Sequence, residues 1–113
     1  MNHSESQLQR ACVSWFRLQY PHHILMAIPN GGRRNKIEAA IMRAEGVLAG
    51  ASDLLLMHPN DQYHGLCLEM KAGKGVQTES QKEFARKAWN AGYQYVVCRS
   101  FDEFMNEVNA YLR

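Results

Sequence analysis

The chain has 113 residues, 46% of them hydrophobic and 21% charged, so one globular domain over residues 1–113 is expected, and neither a two-domain protein nor wholesale disorder is. Thirteen Lys and Arg against eleven Asp and Glu leave a net charge of only +2, so affinity for a polyanion has to come from a local basic face. MNHSESQLQR lacks a secretory apolar stretch, no apolar run approaches the roughly 20 residues that span a bilayer, and Cys12, Cys67 and Cys98 sit in apolar surroundings as reduced core thiols would, so a cytoplasmic protein without membrane partners is expected.

Along the chain, the first element is a helix over about residues 5–19. Ser4 with Gln7 makes a capping box there, Leu8, Ala11, Cys12, Trp15 and Phe16 form one apolar stripe, and Pro21 ends it. A short strand over 24–28 leads through a glycine turn into an inserted helix over about 35–45, closed by Gly46. Runs at 54–57 and 66–71 read as strands, and the turn-rich HPNDQYHG between them is too short for a parallel crossover, so they pair as a hairpin. Thr78 with Gln81 opens a helix over 79–91 that buries Phe84, Ala85, Ala88 and Trp89, with Gly92 as its stop. A last strand over 93–98 precedes a helix started by the Ser100 and Glu103 box, with Phe101, Phe104, Met105, Val108, Tyr111 and Leu112 on one face. The five histidines show no ligand spacing and read as turn or surface residues, Asn60 and Asp61 as a turn, and Trp89 as a core aromatic.

Chemistry concentrates on the hairpin. A strand's period of two puts Glu69 and Lys71 on one face of LCLEMK and Leu68 and Met70 on the other. Asp53 opens the partner strand after the small residues of AGAS, where backbones approach closely, and pairing brings its carboxylate alongside Glu69. Adjacent carboxylates repel unless a cation lies between them, and hard oxygen donors suit Mg²⁺ or Mn²⁺. By itself a Glu-x-Lys on a half-exposed strand is commonly a solvated ion pair, and an Asp at a strand start commonly solubilises it. Gln81 shares a helical face with Ala85 and Ala88, so its amide points inward as well as capping its own helix. Glu5 is in register with Leu8, Cys12 and Trp15, which turns its carboxylate toward the sheet, although a helix N-terminus favours an acid in any case.

Asp53, Glu69-x-Lys71 and Gln81, set in an αβββαβ order, resemble the PD-(D/E)xK nuclease superfamily. More narrowly, GVLAGASD at 46–53 followed by Leu54-Leu55-Leu56, then Leu68-Glu69-Met70-Lys71, Gln81 and Ala91-Gly92-Tyr93, is similar to its VRR-NUC branch, the virus-type replication and repair nucleases. Ile28-Pro29-Asn30-Gly31-Gly32-Arg33 and Glu5 look like that branch too, so the likeness runs over nearly the whole chain. Ser52 stands where the superfamily name has Pro, a position that varies and is not a ligand. The resemblance implies an α/β, restriction-endonuclease-like fold: a small mixed four-stranded sheet flanked by helices, with an inserted helix after the first strand and a C-terminal helix. It implies that Asp53 and Glu69 bind Mg²⁺, with Mn²⁺ as a substitute, helped by the Met70 backbone carbonyl and by Glu5 directly or through water. Lys71 then orients water and stabilises developing charge, and Gln81 fixes that water or the lysine. Such domains occur alone in phage and bacterial genomes, and this chain resembles the stand-alone type.

Asn30 in the Asn30-Gly31-Gly32 turn, Arg33, Arg34 and Lys36 after it, and Lys74 near the motif are the expected DNA contacts, the basic residues giving affinity through phosphates without base readout. Lys82, Arg86 and Lys87 read more simply as a solvated helix face. The expected activity is that of a structure-selective endonuclease on branched DNA, a Holliday junction or a flap, in phage or bacterial replication, recombination or repair. A non-catalytic DNA-binding module is the alternative, as is a restriction-type endonuclease, for which 113 residues leave little groove-reading material. A two-fold homodimer is expected because paired incision needs two sites, with Ile37, Ile41 and Met42 and the C-terminal helix as interface material.

Overall fold

A computed structural model describes residues 3–29 and 35–113. The order is α1 (His3–Gln19), β1 (Leu25–Ala27), α2 (Lys36–Ala44), β2 (Leu54–Leu56), β3 (Leu66–Met70), α3 (Glu79–Asn90), β4 (Gln94–Cys98) and α4 (Phe101–Tyr111). The strands form one mixed sheet in the order β1-β2-β3-β4, antiparallel across the first two pairs and parallel between β3 and β4, as the expected α/β architecture requires. The 58–65 segment turns through Asn60, whose Oδ1 accepts from the backbone N–H groups of Gln62 and Tyr63, and β2 and β3 pair as a hairpin with Leu54 opposite Leu68.

Alternation along β3 sorts its side chains between two layers. Leu66, Leu68 and Met70 join Leu54 and Leu56 in a core closed by Cys12 and Phe16 of α1 and Phe104, Val108 and Tyr111 of α4. Cys67 faces the opposite way, toward Ala88 of α3 and Tyr95 of β4, with Phe84 and Ala85 packed around them. All three cysteines are buried and free, as expected of core thiols. Among the described residues no helix is long and apolar enough to cross a membrane.

Several local expectations need correction. Ser4 lies inside α1, which already begins at His3, so its pair with Gln7 is not the helix cap. At α4, Ser100 Oγ accepts from Glu103 N–H, but the Glu103 carboxylate reaches back to Arg99 N–H and not to its own cap residue. Trp89 is 45% exposed and lies edge-on against Tyr63, because it sits on the flank of α3, where Ala88 alone is buried. α4 spends its apolar stripe on the core and leaves little of it for a partner, whereas α2 buries no residue and leaves Ile37 74% and Ile41 53% exposed.

Candidate active site

The site lies where β2, β3 and the first turn of α3 converge. The register that sets Leu54 opposite Leu68 carries on by one step and places Asp53 opposite Glu69. Asp53 is held from both of its ends. Its carbonyl accepts from Ile28 N–H at 2.9 Å, where β1 leaves the sheet, and its Oδ2 accepts from Met70 N–H at 2.7 Å. The carboxylate therefore lies against the β3 backbone at the residue whose carbonyl is the third expected ligand. Ser52 is fully buried and donates to Leu54 O, so it fixes the turn into β2 without entering the site.

Glu69 is 2% exposed and Lys71 8%, on the same face of β3 as expected, so the solvated ion pair is not what this strand builds. Burial, a hydrogen bond to Asp53 and the charge of Asp53 together push the Glu69 carboxyl up to about 8, against smaller opposing effects of Lys71 and Tyr95. At neutral pH Glu69 therefore keeps its proton in the metal-free protein.

α3 presses its N-terminus onto this pair. A Cβ at Gly50 would lie 2.3 Å from the Ser80 carbonyl carbon and 2.7 Å from Gln81 N, and the residue has φ +83, so glycine alone lets the 49–53 segment reach the helix. Gln81 is the N3 residue of a complete capping box, and its amide serves the cap and the site together. Its Oε1 accepts from Thr78 N–H at 2.9 Å, while its Nε2 donates to Glu69 Oε2 at 3.1 Å. The cap orients the amide so that the donor end must face the acid.

Glu5 comes to a different part of the site. A Cβ at Gly75 would lie 3.6 Å from both Glu5 Oε1 and Lys71 Cδ, so the first turn of α1 meets the 72–77 loop beside the lysine. Among the described residues no group of three or more His, Cys, Asp and Glu is arranged to hold a metal. Two carboxylates and a backbone carbonyl nevertheless suit Mg²⁺, which keeps several waters and is commonly held by one or two carboxylates. A divalent cation would replace the proton that Glu69 otherwise keeps.

Of the expected DNA contacts, Lys36 and Lys74 are exposed, the latter in the loop next to Gly75, while Asn30, Arg33 and Arg34 lie outside the described residues. Lys82, Arg86 and Lys87 pair with Glu79 and Glu83 along α3, as a solvated face does. Two residues of the site escape the sequence pattern. Tyr95 OH lies 3.4 Å from Glu69 Oε1, and Gln77 Nε2 donates to that hydroxyl at 3.2 Å. The available signal was a hydroxyl-bearing aromatic at an inward position of β4, which on burial needs a polar partner.

With this geometry in view, comparison with known proteins points one way. The VRR-NUC domain family profile matches residues 3–102, which leaves out nearly all of α4. A solved structure described as a VRR_NUC domain protein superposes with a TM-score of 0.80 at 25% identity, covering 99% of this chain and 90% of that one. A search of curated proteins finds no match.

Proposed function

Because the chain belongs to the VRR-NUC family, a family of nuclease domains, we propose that it is a metal-dependent, structure-selective DNA endonuclease that cuts branched DNA such as a Holliday junction or a flap, in phage or bacterial replication, recombination or repair. The observation that carries this reading is the buried Glu69 held beside the half-buried Asp53, the two clamped by Gln81 and Met70 N–H and flanked by the buried Lys71. A binding module gains nothing from burying one acid against a second that repels it, since its desolvation costs stability unless a cation or a proton offsets it.

Asp53, Glu69 and the Met70 carbonyl would hold Mg²⁺ or Mn²⁺. When bound, the ion supplies a water of lowered pKa and neutralises charge on the scissile phosphate. Lys71 shares the Glu69 face, where its ammonium orients the attacking water and offsets charge that develops on the phosphate. Gln81 fixes the Glu69 carboxylate, and Glu5 acts from the Lys71 side, across Gly75. Lys36, Lys74, Asn30, Arg33 and Arg34 bind phosphates. The Ile28 N–H bond to the Asp53 carbonyl ties the chain just past β1 to the site itself.

The active unit is a homodimer. Symmetric cuts about a junction need two equivalent sites, and α2 keeps Ile37 and Ile41 in solvent for a second copy to cover.

Incubating the protein with duplex, flap and four-way junction DNA, with Mg²⁺ or with excess EDTA, tests the reading. Mg²⁺-dependent incision of a branched substrate is expected, as paired cuts on the junction by a species of twice the 12.9 kDa chain mass. Cutting that persists in EDTA overturns the metal assignment, and binding without incision under every metal condition overturns the activity.

A further inference from the structure

Glu69 has two carboxylate oxygens, and each accepts from a different arm of the fold. Gln81 takes Oε2 from the first turn of α3. The other arm begins in the 72–77 loop and passes through β4. Gln77 Nε2 donates to the Tyr95 hydroxyl at 3.2 Å, and the hydroxyl lies 3.4 Å from Glu69 Oε1. A phenol has one proton. Because its oxygen already accepts from Gln77, that proton is directed at the acid.

The loop end of the arm is itself anchored. Arg99, just beyond β4, donates to Gly75 O at 2.6 Å, and a Cβ at Gly75 would lie 3.6 Å from both Lys71 Cδ and Glu5 Oε1. Tyr95 is buried with its ring against Phe84, so ring packing places the hydroxyl independently of the hydrogen bonds it makes.

We propose that Tyr95, aligned by Gln77, is a positioning residue for the Glu69 carboxylate, so that the loop carrying Lys74 sets the orientation of the acid that faces the ion. This rests on the reading of Glu69 as a metal ligand. Partners that orient a ligating carboxylate are typically worth about 10- to 100-fold in metal affinity or activity. A bond as long as that from Tyr95 belongs at the lower end of the range.

The test is Mn²⁺ calorimetry on the full chain, with junction cleavage beside it, for the wild type, Glu69→Gln, Tyr95→Phe, Gln77→Met and the Tyr95→Phe/Gln77→Met double variant. Tyr95→Phe keeps the ring and is expected to weaken Mn²⁺ binding and lower kcat by roughly tenfold, with KM for DNA unchanged. Gln77→Met should act in the same direction and more weakly. The double variant should be no worse than Tyr95→Phe alone, because Gln77 acts through the hydroxyl. Loss of Mn²⁺ binding in Glu69→Gln with wild-type affinity in Tyr95→Phe overturns the positioning role and leaves the metal site standing. Undiminished binding in Glu69→Gln overturns the metal reading and the positioning role with it. Additive losses in the double variant show that the two residues act separately and break the chain. Gln77 lies in a loop outside the core, so its variant decides the question even if Tyr95→Phe does not fold.

Discussion

The two sides of β3 bury comparable fractions of their side chains and do so for opposite reasons. On the α1 and α4 side, Leu66, Leu68 and Met70 belong to the main hydrophobic cluster, and each buried methylene adds about 0.8 kcal/mol to the stability of the fold. On the α3 side, Glu69 and Lys71 are almost as deeply buried, although burying ionisable groups opposes folding. The first side holds the sheet together, and the second uses that rigidity to keep acids where they would not otherwise stay. Substitutions on the two sides should therefore separate stability from activity.

The largest separation is expected from Leu68→Ala against Asp53→Asn, Glu69→Gln and Lys71→Ala. Leu68→Ala should cost about 2–5 kcal/mol in urea unfolding and leave cleavage per folded molecule intact. Each of the other three should keep the fold and lose cleavage by roughly a thousandfold or more. A site variant with near wild-type turnover would remove that residue from the assignment.

pH should divide the two sides next. In EDTA, folded Glu69 keeps its proton up to about 8, whereas in the unfolded chain it loses the proton near its ordinary value of 4.5. The native state therefore binds more protons over that window. The contribution is fully present below pH 4.5 and is lost as pH rises to about 8, beyond which it stays lost. The Tm of the metal-free protein should fall by several degrees across the window, and the fall should vanish in Glu69→Gln. An equal slope in wild type and variant would place the buried proton elsewhere.

Gln81→Ala should have a smaller effect, slowing cleavage about tenfold while Mn²⁺ still binds, because it removes one hydrogen bond to Glu69 and leaves both acids in place. Abolished binding in a folded variant would make Gln81 essential to the ion's shell. The smallest effect belongs to the outer face of α3. Arg86 and Glu83 are exposed, so Arg86→Ala should leave Tm and the salt dependence of DNA binding unchanged. A flatter salt slope would put Arg86 on the DNA face.

What could be read before folding follows the range of the interactions. Asp53 and Glu69 are joined by a hairpin, whose short connection and alternating pattern fix which residues oppose one another, so their juxtaposition was legible. Gln81 was legible too, because a capping box and an inward helical face both belong to local sequence. Tyr95 and Gln77 were not, since they reach Glu69 through the parallel pairing of β3 with β4, across a helical crossover that hides the register. The outward apolar residues of α2 and the exposed Trp89 show the same limit: periodicity identifies an apolar stripe, but tertiary packing decides how much of it is covered. Ser4 failed as a cap because helix starts depend on the residues before them, and α1 begins upstream of it.

The central claim is that Glu69, held beside Asp53, keeps a proton that a divalent cation displaces. Mn²⁺ calorimetry at pH 7, repeated in buffers of different ionisation enthalpy, measures that exchange directly. The account predicts release of roughly one proton per ion bound by the wild-type protein and no binding by Glu69→Gln. Equal Mn²⁺ affinity in both proteins, with no proton released, would contradict it.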